Sequence, residues 1–258
     1  MTALARRIDW TRPWLAPYRA WATLLDGLDE QPGAVAARLN AALARQAPVV
    51  LEAGLLRFVA QQAMPSGEAY ESFIARTATV PTRDNLHDFF NGLVWLRFPA
   101  LKRRLNTLQA EAIARDGIGA TRGPLRDALT LFDENATLWR APAALADALR
   151  RRDWQALFVT HRVAWGAAEP LLFGHALLEK LTQPRKAITA HVWLLPDGAD
   201  LDAGASPWFT AEWLLATRPL ALPVLGVPGW WPANENVAFY AETSVFRSAI
   251  ATWGQTGN

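Results

Sequence analysis

Apolar positions recur along the chain at two periods, and the period that holds in each stretch predicts the element there. Residues 33–46, GAVAARLNAALARQ, are rich in alanine, the best helix former, and set Val35, Leu39 and Leu43 four apart, which predicts an amphipathic helix. Residues 13–27 predict another, interrupted by Pro17 and ended by Gly27. Pro48 to Gln61 is ambiguous, with short strands around Gly54 one solution. A turn at Pro65-Ser66-Gly67 leads into a helix over Glu68 to Arg76.

The next stretch, Pro81 to Asn106, predicts a helix with Thr82 or Asp84 as its N-cap and a break at Phe98-Pro99. A rotation of about 100° per residue gathers Leu86, Phe89, Phe90 and Leu93 on one face. It gathers Asp84, His87, Asp88, Asn91 and Trp95 on the other. That second face is either the wet side of an amphipathic helix or the lining of a pocket; it carries no Lys or Glu and does carry a Trp. A further helix, Ala100 to Arg115, holds the basic run Lys102-Arg103-Arg104.

Beyond a loop at 117–124, the residues LRDALTLF, DENA and TLW read as a β-hairpin with Asp133-Glu134-Asn135-Ala136 at its turn. A divalent ion on Asp133 and Glu134 is less expected than backbone hydrogen bonding by turn acids. Helices follow from Pro142 to Arg152 and from Asp153 towards Trp165. Pro170 to Thr182 is apolar around most of its circumference and predicts a buried helix whose polar exceptions include His175 and Glu179, one turn apart. Ile188 to Leu195 predicts a strand with Thr189, His191 and Trp193 on one side. A loop at 197–206, a short helix at 208–216, an ordered Pro/Gly-rich wrapping tail at 219–232, a closing segment at 239–246 and a frayed end, WGQTGN, complete the reading. The sum is a mixed α+β fold, mostly helical, in a single domain over 1–258. Its small antiparallel sheet would join the Leu125 hairpin to the Ile188 strand, with residues 1–47 as a helical lobe.

With 51% hydrophobic and 19% charged residues, the 258-residue chain can bury a large core. Twenty-six Lys and Arg face 24 Asp and Glu, a net charge of +2 with no basic run longer than three, which disfavours nucleic acid as a partner. The absence of cysteine excludes disulfides, thiol nucleophiles and thiolate metal sites. No apolar run follows the first arginines and none approaches a membrane span, so a cytoplasmic protein with no membrane partner is expected. Thirteen Trp residues point first to an aromatic core and second to a ligand surface, of which Trp230-Trp231 is the best example.

GxGxxG, P-loop, GxSxG and HExxH signatures are all missing. Chemistry therefore falls to scattered groups. His87, His175 and His191 lie on three separate elements and could converge on a divalent metal, with Asp88 and Glu179 as oxygen ligands or bases. Alternatively, a histidine acts as general base with a carboxylate orienting it. Arg83 would neutralise an anionic substrate such as a phosphate, with Asn91 and Trp230 completing a binding surface. His161 looks ordinary.

PTRDNLHDFFNGLVWLRFP, RGPLRDALTLFDEN, FGHALLEKL with TAH, and PVLGVPGWWPANENVAFY with SVFR together resemble the bacterial family called domain of unknown function 3025. The resemblance covers roughly residues 50–247, so 48–247 would be the family core. It implies a single cytoplasmic bacterial domain and assigns no activity or catalytic residue. Asn135-Ala136 departs from the Gly-containing turn expected of the family and of a hairpin. Two functions follow. One is a hydrolase, metal-dependent or not, with His87, Asp88, His175, Glu179 and His191 forming its pocket. The other is a non-catalytic module that binds a small molecule or protein through Arg and Trp.

Overall fold

Pro13 to Trp21 winds as a 3₁₀ helix and carries Trp14, Leu15 and Tyr18 into the core. The computed structural model describes residues 4, 7–28, 31–117, 123–167, 170–201 and 207–248. Residues 118–122 of the expected loop at 117–124, residues 202–206 of the one at 197–206, and the whole WGQTGN end lie outside the described residues.

Helix α1 (Ala34–Leu43) buries Val35, Ala36, Leu39 and Ala42, the face its spacing predicts. Short strands β1 (Val50–Leu51) and β2 (Gly54–Leu55) pair antiparallel across a turn at Glu52-Ala53. Strand β3 (Arg57–Ala60) pairs in parallel with β4 (Thr79–Thr82) after the crossover helix α2 (Tyr70–Thr77). Helices α3 (Leu86–Arg97) and α4 (Pro99–Asp116) follow, separated at Phe98 because Pro99 can only begin a new helix there.

The expected hairpin is corrected by the structure. Pro124–Asn135 is helix α5, and strand β5 (Ala136–Trp139) leaves its last residue directly. Leu125, Leu129 and Phe132 are spaced four and three apart, a helical stripe, and Pro124 stands at the first helical position it favours. After α6 (Ala143–Arg151), the region expected to be one helix is a π-helical turn, Ala156–Thr160, followed by a 3₁₀ segment. The expected buried helix at 170–182 is split as well. Leu171–Leu172 is strand β6, and only His175–Lys180 is helix α7, because Phe173 and Gly174 donate their N–H groups to the carbonyl of Ala136.

Strand β7 (Thr189–Leu194), helix α8 (Ala211–Ala216) and strand β8 (Leu220–Pro223) complete the regular elements. The main sheet has the order β6-β5-β7-β8. Its centre is parallel, β5 against β7, and its flanks are antiparallel. The β5 and β7 segments thus share a sheet as expected, but without a hairpin. Both faces are covered, so β5 is buried along its whole length and alternation is lost at Trp193. Phe132 of α5 ties the layers together, with ring centroids 5.2 Å from Phe173, 5.0 Å from Trp193 and 4.6 Å from Phe209. The fold is α+β and mostly helical. Among the described residues no helix is long and apolar enough to cross a membrane.

Candidate active site

Helix α3 begins at Asn85, whose side chain accepts from the Asp88 N–H, and so neither Thr82 nor Asp84 is its cap. Asp84 serves a different helix, accepting from the N–H groups of Gly33 and Val35 at the start of α1. This start fixes the helical phase that sends His87, Asp88 and Asn91 into a cavity of about 310 Å³. Glu71 and Tyr70 of α2, Gln109 of α4, Asp133 and Glu134 of α5, and His175 of α7 also line it. The second face of α3 is therefore a pocket lining at these three positions, while Trp95 is sealed in the core.

At the cavity wall α3 packs on α7, and this contact brings two histidines together. His87 Nε2 lies 3.1 Å from His175 Nε2, and the rings meet edge to face at 4.5 Å. His87 Nδ1 lies 3.0 Å from Glu179 Oε2, and His175 Nδ1 lies 2.8 Å from the carbonyl oxygen of Asp133. A carbonyl only accepts, so His175 carries its proton on Nδ1 and offers Nε2 as an acceptor. His87 then donates from Nε2. The chain from Glu179 to Asp133 has three junctions and needs three protons, whereas two neutral imidazoles and a carboxylate supply two. Filling all three junctions therefore takes one further proton, which His87 and Glu179 would share. Burial pushes the His175 imidazole down to about 4, with Asp133 opposing and the charges of Lys102 and His87 adding to the effect. His175 is thus held neutral at ordinary pH.

Next to this pair lies a buried cation, the first residue of the basic run Lys102-Arg103-Arg104. Lys102 is only 3% exposed. Its ammonium donates to Asp133 Oδ1 at 2.6 Å and to Asn91 Oδ1 at 2.8 Å, and sits 5.4 Å from the centre of the Trp95 ring. Burial alone would raise the Asp133 carboxyl, but the Lys102 charge and hydrogen bond, with the two histidines, outweigh it and hold Asp133 below its ordinary value. A signal for Lys102 was present in the helical phase. Lys102, Asn106 and Gln109, spaced four and three apart, form a buried polar stripe on α4 beside Leu101, Leu105 and Leu108.

The remaining candidates separate. Arg83 is committed to Asp88, through its own N–H at 2.6 Å, Nε at 3.0 Å and Nη2 at 2.8 Å, which leaves Asp88 with both oxygens occupied. Asn91 is engaged at both ends, by Lys102 and by the Tyr70 hydroxyl. His191 is not at this wall; it reaches Asn135 from strand β7, and burial followed by the Lys180 charge lowers its pKa. Trp230 is buried, 6.1 Å from Trp14, and is core and not a ligand surface. The proposed trio His87, His175 and His191 is thus divided between two places, and among the described residues no three His, Asp or Glu side chains are grouped to hold a metal ion.

No curated protein and no solved structure shows significant similarity to the chain. A family model does match, over residues 56–249, about three quarters of the sequence and the part that contains every residue of the cavity wall. The chain therefore belongs to the family described as proteins of unknown function, DUF3025.

Proposed function

We propose that the protein is a hydrolase that works by general acid–base chemistry at the His87–Glu179 pair, with His175 as the neutral partner that fixes where the reacting proton sits. One observation carries this reading: His87 stands between a carboxylate and a neutral imidazole on the wall of a polar cavity. A carboxylate on Nδ1 orients the ring and stabilises its charged form, leaving Nε2 to exchange a proton. When the extra proton leaves, two lone pairs face each other across the His87–His175 junction. His87 Nε2 then turns to any donor in the cavity, such as water. When the proton is present, the same atom can return it to a leaving group.

The pairing of Arg83 Nε and Nη2 with Asp88 partly neutralises its charge, which weakens the case for it as a receptor for phosphate. The alternative of a binding module loses its best anchor, since Trp230 is enclosed. The test is a hydrolysis screen with esters, amides and phosphoesters on the wild type, His87→Ala and His175→Gln. Turnover by the wild type that falls by about 100-fold or more in both variants, with folding retained, is the expected result. Turnover unaffected by either change would sink the reading.

A further inference from the structure

Asn91 is clamped in one orientation by chemistry that allows no alternative. The Lys102 ammonium only donates, so the Asn91 atom facing it at 2.8 Å is the carbonyl oxygen. The amide nitrogen must then face Tyr70, and it donates to the hydroxyl oxygen at 2.9 Å. The Tyr70 proton is consequently turned away from Asn91, and no described residue accepts it. Tyr70 lines the same cavity as His87 and His175. The outcome is a directional chain: a buried ammonium polarises an amide, the amide polarises a phenol, and the phenol offers its O–H to the cavity. Burial, followed by the charges of Asp88 and Asp133, raises the Tyr70 pKa, so the phenol keeps its proton.

A second group on the same wall is also waiting for a partner. Gln109 is 6% exposed, lines the cavity, and its side-chain amide makes no hydrogen bond with the described residues. Arg83 on this wall is paired with Asp88 and Lys102 with Asp133, whereas Glu71 and Glu134 line the cavity without an ion pair among the described residues, so the wall is net negative and repels an anion. We infer that Tyr70 is the oxyanion donor of this site and that the substrate is a neutral acyl compound, an ester or amide, whose carbonyl oxygen binds the Tyr70 hydroxyl beside the Gln109 amide.

This inference rests on the hydrolytic reading and supplies its missing half. Water adds to the acyl carbon and gives a proton to His87 Nε2. The carbonyl π pair moves onto oxygen, and the oxyanion accepts from Tyr70 O–H. The pair then re-forms the carbonyl and the bond to the leaving group breaks. The leaving group keeps those electrons and takes the proton from His87, giving an acid and an alcohol or amine. Asn91 and Lys102 are positioning residues, since they act only through Tyr70.

The test uses p-nitrophenyl acetate hydrolysis and, separately, the carbonyl ¹³C shift of bound labelled acetamide. Tyr70→Phe removes the donor and keeps the ring. Asn91→Asp keeps the hydroxyl but draws its proton inward, because a carboxylate can only accept. Both variants should lose about 100-fold in kcat, with KM within about twofold, and both should abolish the downfield acetamide shift. Wild-type rates in both variants, with activity lost in His87→Ala, would overturn the Tyr70 assignment and leave the hydrolytic reading standing. If the wild type does not hydrolyse the ester at all, the hydrolytic reading fails and acetamide decides alone: a shift present only in the wild type supports Tyr70 as the donor, and an equal or absent shift in all three proteins overturns it.

Discussion

Lys102 shows how strongly a single buried charge constrains its surroundings. Its ammonium is satisfied by Asp133, Asn91 and the face of Trp95, so each of those side chains has an orientation it would not keep alone. Lys102→Met leaves Asp133 buried beside a hydrocarbon and should cost about 3–5 kcal/mol in denaturant unfolding. His175 makes a second prediction, readable against pH. Its folded pKa, about 4, lies below the ordinary 6.5, so the unfolded chain binds a proton that the folded chain refuses between those values. Stability is therefore full above about pH 6.5 and falls as the pH drops towards 4, by about 3 kcal/mol from this group. Unfolding titrations at about pH 7 and about pH 5 should show that His175→Gln removes most of this slope. At this scale the sequence was legible where a polar residue stood on a predictable face: His87, Asp88 and Asn91 are pocket residues, as their helical phase suggests. It was not legible for Lys102 or Tyr70, because a lysine in a basic run and a tyrosine at a helix start look like surface until the partner elements are placed.

Among the elements, two close approaches hold the cavity wall. Asp84 caps α1 from across the chain, accepting from Gly33 and Val35, so Asp84→Ala should cost about 1 kcal/mol and loosen the contact of α1 with the β4–α3 turn. Gly174 is more demanding. A Cβ there would lie 2.5 Å from the backbone of Asn135, where the end of α5 meets the start of α7. Gly174→Ala should destabilise by about 1–3 kcal/mol and, by pushing His175 off the Asp133 carbonyl, lower turnover more than stability alone explains. Thermal unfolding and kinetics on one sample separate the two effects. This junction also explains the two misread segments. LRDALTLF carries apolar residues at both strand and helix spacings, and the choice is made by burial of Leu129 and Phe132. Leu171–Leu172 becomes a strand because β5 offers it an edge, which only the assembled sheet reveals.

Across the whole molecule, the N-terminal segment is stitched into the core. The Tyr18 hydroxyl donates to the Leu172 carbonyl at 2.7 Å, and Trp14 packs on Trp230, so residues 13–21 reach the sheet and the C-terminal wrap at once. One connected set of buried apolar side chains runs from Ile8 to Phe246. We propose on this basis that the chain unfolds as one unit, without a separate N-terminal lobe; Trp fluorescence and far-ultraviolet dichroism should give coincident transitions, and two transitions would contradict it. The mostly helical α+β class was readable from the repeats of apolar residues. The mixed sheet was not, since parallel pairing of β5 and β7 depends on segments more than fifty residues apart.

The account as a whole depends on the proton arrangement at the His87–His175 junction, and ¹⁵N NMR of the two imidazoles across a pH titration measures it directly. The prediction is that His175 remains neutral down to about pH 4, protonated at Nδ1 alone, with a scalar coupling between its Nε2 and that of His87 across the shared hydrogen bond. A His175 that titrates near its ordinary value and shows no such coupling would contradict the central claim.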